Sequence, residues 1–225
     1  MVGFACCCMS SMLVRPSDIW SEWEPSGTYH RELPSDAMIC GRRHTDRKQI
    51  SAAYSFVNLF IPQGSTITSA KLELAYVDGW QSNGIAVAVE QAGGTNYVYN
   101  KEAKYIARGY DVDSPTMPAN AAALDAAART TAQTSVTMET ESAAAAGDNT
   151  LPGGSTLGLL ADVTAILQEC VDRAGWNTFS GFVVFLDENG SDFDNAASPP
   201  WGAFCRIDGG AGTTVVHPRL VVDYS

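Results

Sequence analysis

Basic side chains are scarce in this sequence, and their placement matters more than their number. Lysine and arginine total 14 against 25 aspartates and glutamates, a formal net charge of -11. Residues 1–48 are balanced, so the whole acidic excess lies in residues 49–225. A domain of that sign repels phosphate backbones, which argues against nucleic acid as its ligand and fits a soluble, self-repelling surface. Long apolar runs are missing too. The first fourteen residues, MVGFACCCMSSMLV, are apolar but interrupted by Ser10 and Ser11. A bilayer-spanning helix needs roughly 20 residues, so no membrane segment is expected. Nothing basic precedes Arg15, and a secretory leader carries basic residues ahead of its apolar stretch, so no signal peptide is expected either.

Catalytic patterns are equally thin. The histidines are His30, His44 and His217. A Ser-His-Asp triad needs a nucleophile on a sharp turn and a base oriented by a carboxylate. No G-x-S-x-G elbow occurs, and His217 stands beside Pro218 at the entrance to the last strand. Carboxylates are plentiful, but a glycosidase pair is defined by a separation of roughly 5–10 Å across a cleft, which sequence spacing does not supply. The expectation is a protein that is not an enzyme.

The six cysteines do not make a disulfide framework. Cys6, Cys7 and Cys8 are consecutive, and neighbouring cysteines do not readily pair with each other. Cys40, Cys170 and Cys205 are scattered, the last two in segments that read as buried. A metal site at Cys6–Cys8 with Cys40 and a histidine would lack any C-x-x-C spacing. Reduced cysteines acting as small hydrophobes are expected.

What is present is a run of strands. Residues 66–77 alternate, with Ala70, Leu72, Leu74 and Tyr76 on one face and Lys71 and Glu73 on the other. Period two with one polar face marks a half-buried antiparallel strand. Residues 85–90 repeat the signal after the turn former Ser82-Asn83-Gly84. Further strands are expected at 54–61, 134–141, 181–186, 201–207 and 219–224. The alanine-rich stretch near 120–128 reads as a helical turn, and 143–154 as a long loop. One helix stands out at about 163–174. Val163, Ile166, Leu167, Cys170 and Val171 recur at three- and four-residue spacing, Asp162 is placed to cap the first turn, and Gly175 to supply a left-handed stop. That helix should cap one end of a two-sheet sandwich.

The chain divides near residue 49. Residues 1–48 hold Pro16, Pro25 and Pro34 and the run GRRHTDRK with no sustained periodicity, and read as an irregular N-terminal arm. Residues 49–225 read as the β-sandwich domain. Trp20 and Trp23, with Arg42 and Arg43, are the arm's candidates for binding a partner, the tryptophans serving either as anchors in its pocket or as cover for the chain's own sandwich.

Four strings in order, IPQGSTITSAKLEL, GYDVDSPT with ARTTAQTSVTM, ADVTAILQECVDRAGW with GFVVFLDENGS, and PRLVVDY, carry a resemblance over roughly residues 50–225. They resemble jelly-roll β-sandwich modules of bacterial secreted proteins and phage virion proteins, and are similar to DNRLRE-type modules related to carbohydrate-binding domains. The resemblance implies an all-β, antiparallel two-sheet jelly roll. Its motifs are structural, not catalytic. Such modules often carry a structural calcium, and Asp187, Asn189, Asp192 and Asp194 around Gly190 offer hard oxygen ligands for one. A solvated acidic hairpin is the other reading of that run. Asp111 and Asp113 make a second acidic cluster.

Two functions of different class follow. The first is an assembly protein that decorates or cements a viral capsid, docking on capsid protein through its arm and sandwich edges. It would be a homo-oligomer, trimer or dimer, and reside in the virion. The second is an extracellular carbohydrate-binding or adhesion module, with Trp80, Trp176 and Trp201 as the stacking platform.

Overall fold

The structure, a computed structural model, describes residues 10–14, 18–23, 38–42, 49–75, 87–91, 94–96, 102–113, 115–119, 121–139, 157–191, 193–194, 201–207 and 219–225. In chain order the elements are β1 (Ser10–Val14), β2 (Asp18–Trp23), β3 (Met38–Arg42), β4 (Gln49–Phe56), β5 (Ile67–Ala75), β6 (Val87–Gln91), β7 (Gly94–Asn96) and β8 (Glu102–Tyr110). They continue with α1 (Ala121–Ala126), β9 (Arg129–Glu139), β10 (Leu157–Asp162), α2 (Thr164–Val171), β11 (Phe182–Glu188), β12 (Phe193–Asp194), β13 (Trp201–Ile207) and β14 (Arg219–Tyr224). The fold is mostly β, in two antiparallel sheets. One runs β1-β14-β5-β10. The other follows the path β7-β6-β13-β3-β4-β11-β8-β9, with β12 joined to β13 and β2 to β4.

The N-terminal region differs from the irregular arm expected of it. Its described parts are three strands. Ser10–Val14 pairs with β14, Asp18–Trp23 with β4, and Met38–Arg42 with both β13 and β4. Their partners lie far along the chain, so no local periodicity announces them. Residues 57–61, expected to continue the first core strand, leave it instead.

Alternation decides the core. Ala52, Tyr54 and Phe56 of β4, Phe182, Val184 and Leu186 of β11, and Tyr105 and Ala107 of β8 face Ala70 and Leu72 of β5 and Leu220 and Val222 of β14. All are buried, while Lys71 is exposed, as period two requires. The larger sheet is not bare on its other side. Ala53, Val183 and Phe185 pack there against Leu124 of α1, with Tyr110, Met117 and Ala127 around them. Residues 182–186 are therefore buried on both faces, and their sequence, FVVFL, is continuously apolar instead of alternating.

Helix α2 stands where the expected stripe puts it, and Val163, Ile166, Leu167, Cys170 and Val171 are all buried. Its ends differ in detail. Val163 holds the cap position, but the Asp162 carboxylate still accepts the Thr164 amide hydrogen (3.0 Å). Bonding to the Thr164 side chain first, and to its amide second, holds the Asp162 carboxyl below its ordinary value of 3.8. Gly175 supplies no left-handed stop, because the described positive-φ residues are Asn58, Phe60, Gly64 and Gly190. Tight turns close the helix instead, with the amides of Arg173 and Trp176 donating to Cys170 and Arg173 carbonyls. Glycine is required at 175 for space, since a Cβ there would lie 2.2 Å from the Asp113 carboxyl carbon.

The helix joins the sheets by hydrogen bonds as well as by its stripe. Beyond Asp162, where β10 ends, Thr164 Oγ1 accepts from the Ala70 amide (2.8 Å) and Gln168 Oε1 from the Ile67 amide (2.7 Å), so α2 takes over the edge of β5. On its other side the Glu169 carboxylate accepts from the amides of Thr131 (2.8 Å) and Ala132 (2.7 Å) in β9. Thr134 Oγ1 completes the corner by donating to the Asp162 carbonyl (2.7 Å). Strands β9 and β10 end their respective sheets. The amides of Ile67 and Ala70 in β5 and of Thr131 and Ala132 in β9 are thereby kept from pairing with another chain.

Replacing Leu167 by alanine is expected to cost about 2–5 kcal/mol, read from the urea midpoint, because the site is fully buried between sheet and helix. The Asp162 carboxyl titrates lower in the folded chain, so its contribution is present at neutral pH and lost as pH falls below 3.8 through the folded value. Asp162→Ala is therefore expected to lower stability at neutral pH, with the gap from the parent chain closing in acid. A gap that stays constant with pH would contradict this.

Candidate functional site

At the end of β4 the chain must bury both Leu59 and Ile61, leaving Phe60 between them to face solvent. It does so by turning through left-handed backbone at Asn58 (φ 54°) and Phe60 (φ 56°). For a non-glycine residue that conformation costs roughly 1–2 kcal/mol, and more bulk makes it rarer. Three bonds hold it. The Leu59 amide donates to the Ser180 carbonyl (3.3 Å), buried Trp176 Nε1 donates to the Ile61 carbonyl (2.9 Å), and the Tyr224 hydroxyl donates to the Phe60 carbonyl (3.4 Å).

The second loop, residues 177–180, is a turn built from side chains. Asn177 Oδ1 accepts from the Phe179 amide (2.9 Å), and Ser180 Oγ accepts from the Asn177 amide (3.0 Å) and donates to the Asp113 carbonyl (3.3 Å). Gly181 then lies too close to β4 for any side chain, since a Cβ would meet the Phe56 carbonyl oxygen at 2.7 Å. The turn presents Phe179, which is 70% exposed. Phe60 is 54% exposed and Val57 45%, and the two phenyl rings meet edge to face, centroids 6.0 Å apart at 76°. Single exposed apolar residues are ordinary, but a contiguous pair on cross-linked loops, one of them strained, is not.

The surroundings of this rim are polar and internally satisfied. Gln63 Nε2 donates to the carbonyls of Arg173 (2.9 Å) and Ala174 (3.1 Å) at the end of α2. The Arg173 guanidinium, just past the end of α2, binds both Asp111 and Asp113, the second at 3.0 Å, so both carboxylates of this segment share one cation. Those carboxylates also hold the Arg173 guanidinium firmly in its charged form, against the opposing effect of burial.

Other expected site residues fall elsewhere. Trp176 is 3% exposed and bonded to Ile61, so it is a core residue and not part of a sugar platform, which corrects that expectation. Trp201 opens β13, its backbone paired with Gln91 and Asp194, and Trp80 lies outside the described residues. Trp20 and Trp23 sit in β2 opposite Ala53 and Ser51, and Arg42 in β3 opposite Gln49. Arg43 lies outside the described residues.

The acidic run near Gly190 is not arranged as a cation site at its first member. The Asp187 carboxylate takes two bonds from Arg129, at 3.2 and 3.3 Å, with Arg108 4.0 Å away. Arg129 in turn lies over the Phe185 ring, 3.6 Å from its centroid, and donates to the carbonyls of Ala127 and Leu124. A dication beside Asp187 would face two guanidinium groups, so this residue does not fit calcium. Asn189 is exposed and its amide donates to the Lys104 carbonyl (2.8 Å). Asp194 sits in β12 opposite Trp201, and Asp192 lies outside the described residues. Among the described residues no group of three histidine, cysteine, aspartate or glutamate side chains could hold a metal ion, and no helix is long and apolar enough to cross a membrane.

The sequence did carry a signal for the rim. Leu59-Phe60-Ile61 puts three apolar residues together where alternation allows two inside, and Phe179 stands in a cluster of turn formers. No protein-family model matches the chain, and no curated protein sequence matches it.

If Asp187 is a partner of arginine and not a calcium ligand, Asp187→Asn should lower stability by about 1–3 kcal/mol. The loss should be equal in calcium and in chelator, followed by thermal melting. A loss seen only when calcium is supplied would reverse the assignment.

Proposed function

We propose that this chain is a non-enzymatic assembly protein that docks on a neighbouring protein subunit of a larger particle, with decoration or cementing of a capsid as its concrete role. The exposed Phe60–Phe179 rim carries the proposal. Aromatic anchors that fill a pocket on a partner supply much of the energy of protein interfaces, and strained presentation fixes their position before contact. The glycan alternative draws less support. A pyranose stacks on a flat ring face, whereas these rings stand at 76° to one another, and Trp176 is buried.

The finer fold is proposed as a jelly roll. Counting β1, β4, β5, β8, β9, β10, β11 and β14 as the eight body strands, one sheet runs first-eighth-third-sixth and the other second-seventh-fourth-fifth. Wrapping a long hairpin around two sheets gives that order, and such sandwiches serve both as capsid proteins and as lectins. The fold alone therefore leaves both functions open, and the exposed rim is what supports the docking reading. At β9 the Glu169 carboxylate of α2 meets the amides of Thr131 and Ala132, so docking through that stretch of edge is disfavoured. On the reading proposed here the N-terminal region, with Trp20, Trp23, Arg42 and Arg43, adds contacts from the other side, and the protein acts in the virion as a dimer or trimer.

The test is a double substitution, Phe60→Ser with Phe179→Ser, in the full chain. Neither ring is buried, and serine at residue 60 carries the same left-handed backbone cost as phenylalanine, so the melting temperature should hold. Co-sedimentation with undecorated shells should be lost. A variant that still sediments with shells as the parent does would remove the rim from the proposal. Loss of binding to an immobilised glycan, with shell binding intact, would favour the adhesion reading.

A further inference from the structure

Two of the six cysteines meet across a sheet. Strands β3 and β13 pair antiparallel in unbroken register, Phe204 with Gly41, Cys205 with Cys40, Arg206 with Ile39 and Ile207 with Met38. Residues directly opposite in an antiparallel pair have Cα atoms about 4.5–5.5 Å apart and Cβ atoms about as close. A disulfide requires Cα atoms roughly 4.4–6.8 Å apart, which the register supplies, and Cβ atoms about 3.5–4.5 Å apart, which asks only a local closing of the two strands by about 1 Å. On the other flank of β13 the residue opposite Cys205 is Val87.

We propose that Cys40 and Cys205 form a reversible cross-strand disulfide that locks the N-terminal strand β3 to β13. The step is thiol–disulfide exchange with a low-molecular-weight disulfide. One protein thiolate attacks that disulfide, forming a mixed disulfide and releasing one small thiol. The other protein thiolate then attacks the mixed disulfide and releases the second. The protein loses two protons and two electrons, and the small disulfide gains both. In a reducing cell the pair stays as thiols, and in an oxidising medium it closes.

The other described cysteine is a spectator. Cys170 is buried under α2 and burial pushes its thiol up to about 12, so at neutral pH it is a poor nucleophile. Closing the bridge ties residue 40 to residue 205 and so constrains most of the chain in the unfolded state, where long loops give the largest effect. The consequence is a lock on the strands of residues 1–48, which the proposed assembly role places at the contact, although the bridge itself does not depend on that role.

The experiment is oxidation of the purified full chain with glutathione disulfide, followed by non-reducing proteolysis and mass spectrometry. The expected result is a linked peptide pair containing Cys40 and Cys205, two hydrogen masses lighter than its parts. The melting temperature should rise by about 10 °C. Dithiothreitol should reverse both. Cys40→Ser should abolish the rise, and Cys205→Ser serves the same purpose if the first variant folds poorly. Recovery of Cys40 and Cys205 as free thiols, as separate glutathione adducts, or linked to Cys6, Cys7 or Cys8 would overturn the inference. Shell binding is not read in this assay, so failure of the docking proposal would leave the result unchanged.

Discussion

The structure depends on one helix that hydrogen-bonds to both sheets. Three polar positions on α2 divide the work. Thr164 and Gln168 take amides from β5, Glu169 takes two from β9, and the buried stripe between them fills the gap. Each of those strand amides would otherwise stand at an edge, where an unmet donor costs energy and invites pairing with another chain. The constraint propagates backward. A Cβ at Gly109 in β8 would lie 3.0 Å from Ile166 Cγ2 and from Thr130 Cγ2, so the glycine lets sheet and helix approach without displacing those side chains.

Much of this is legible in sequence, for definable reasons. The helix stripe at Val163, Ile166, Leu167, Cys170 and Val171 is a local pattern of period 3.6, and all five residues are buried. The strands at 201–207 and 219–224 have the expected bounds. Strand β10 is hidden because its apolar run, LGLLAD, passes directly into the helix without a turn residue between them. Strands β1 to β3 are hidden because what makes them strands is a partner elsewhere, not their own alternation. Asp187 looks like a metal ligand in a list of acids, and only the fold reveals Arg129 beside it. Trp176 fails as a surface residue for a similar reason: its indole hydrogen has a carbonyl to meet inside.

The rim at Phe60 and Phe179 sets two demands against each other. Burying Leu59 and Ile61 on one side of a single residue forces Phe60 out, and the backbone accepts left-handed geometry to do it. A glycine at residue 60 would relax the turn and expose less carbon. The chain instead keeps an aromatic there, beside a second one held by an asparagine-capped turn. Local rules broken without a folding benefit are where function is to be sought.

The pairing of β1 with β14 sets Ser10 opposite Tyr224 and Val14 opposite Leu220. The smaller sheet is therefore assembled from residues at nearly the greatest separation this sequence allows. During synthesis strand β1 is made long before its partner and stays unpaired until residues 219–224 have left the ribosome. Folding of that sheet therefore belongs to the slow class in which distant pairings must form before any of them is rewarded.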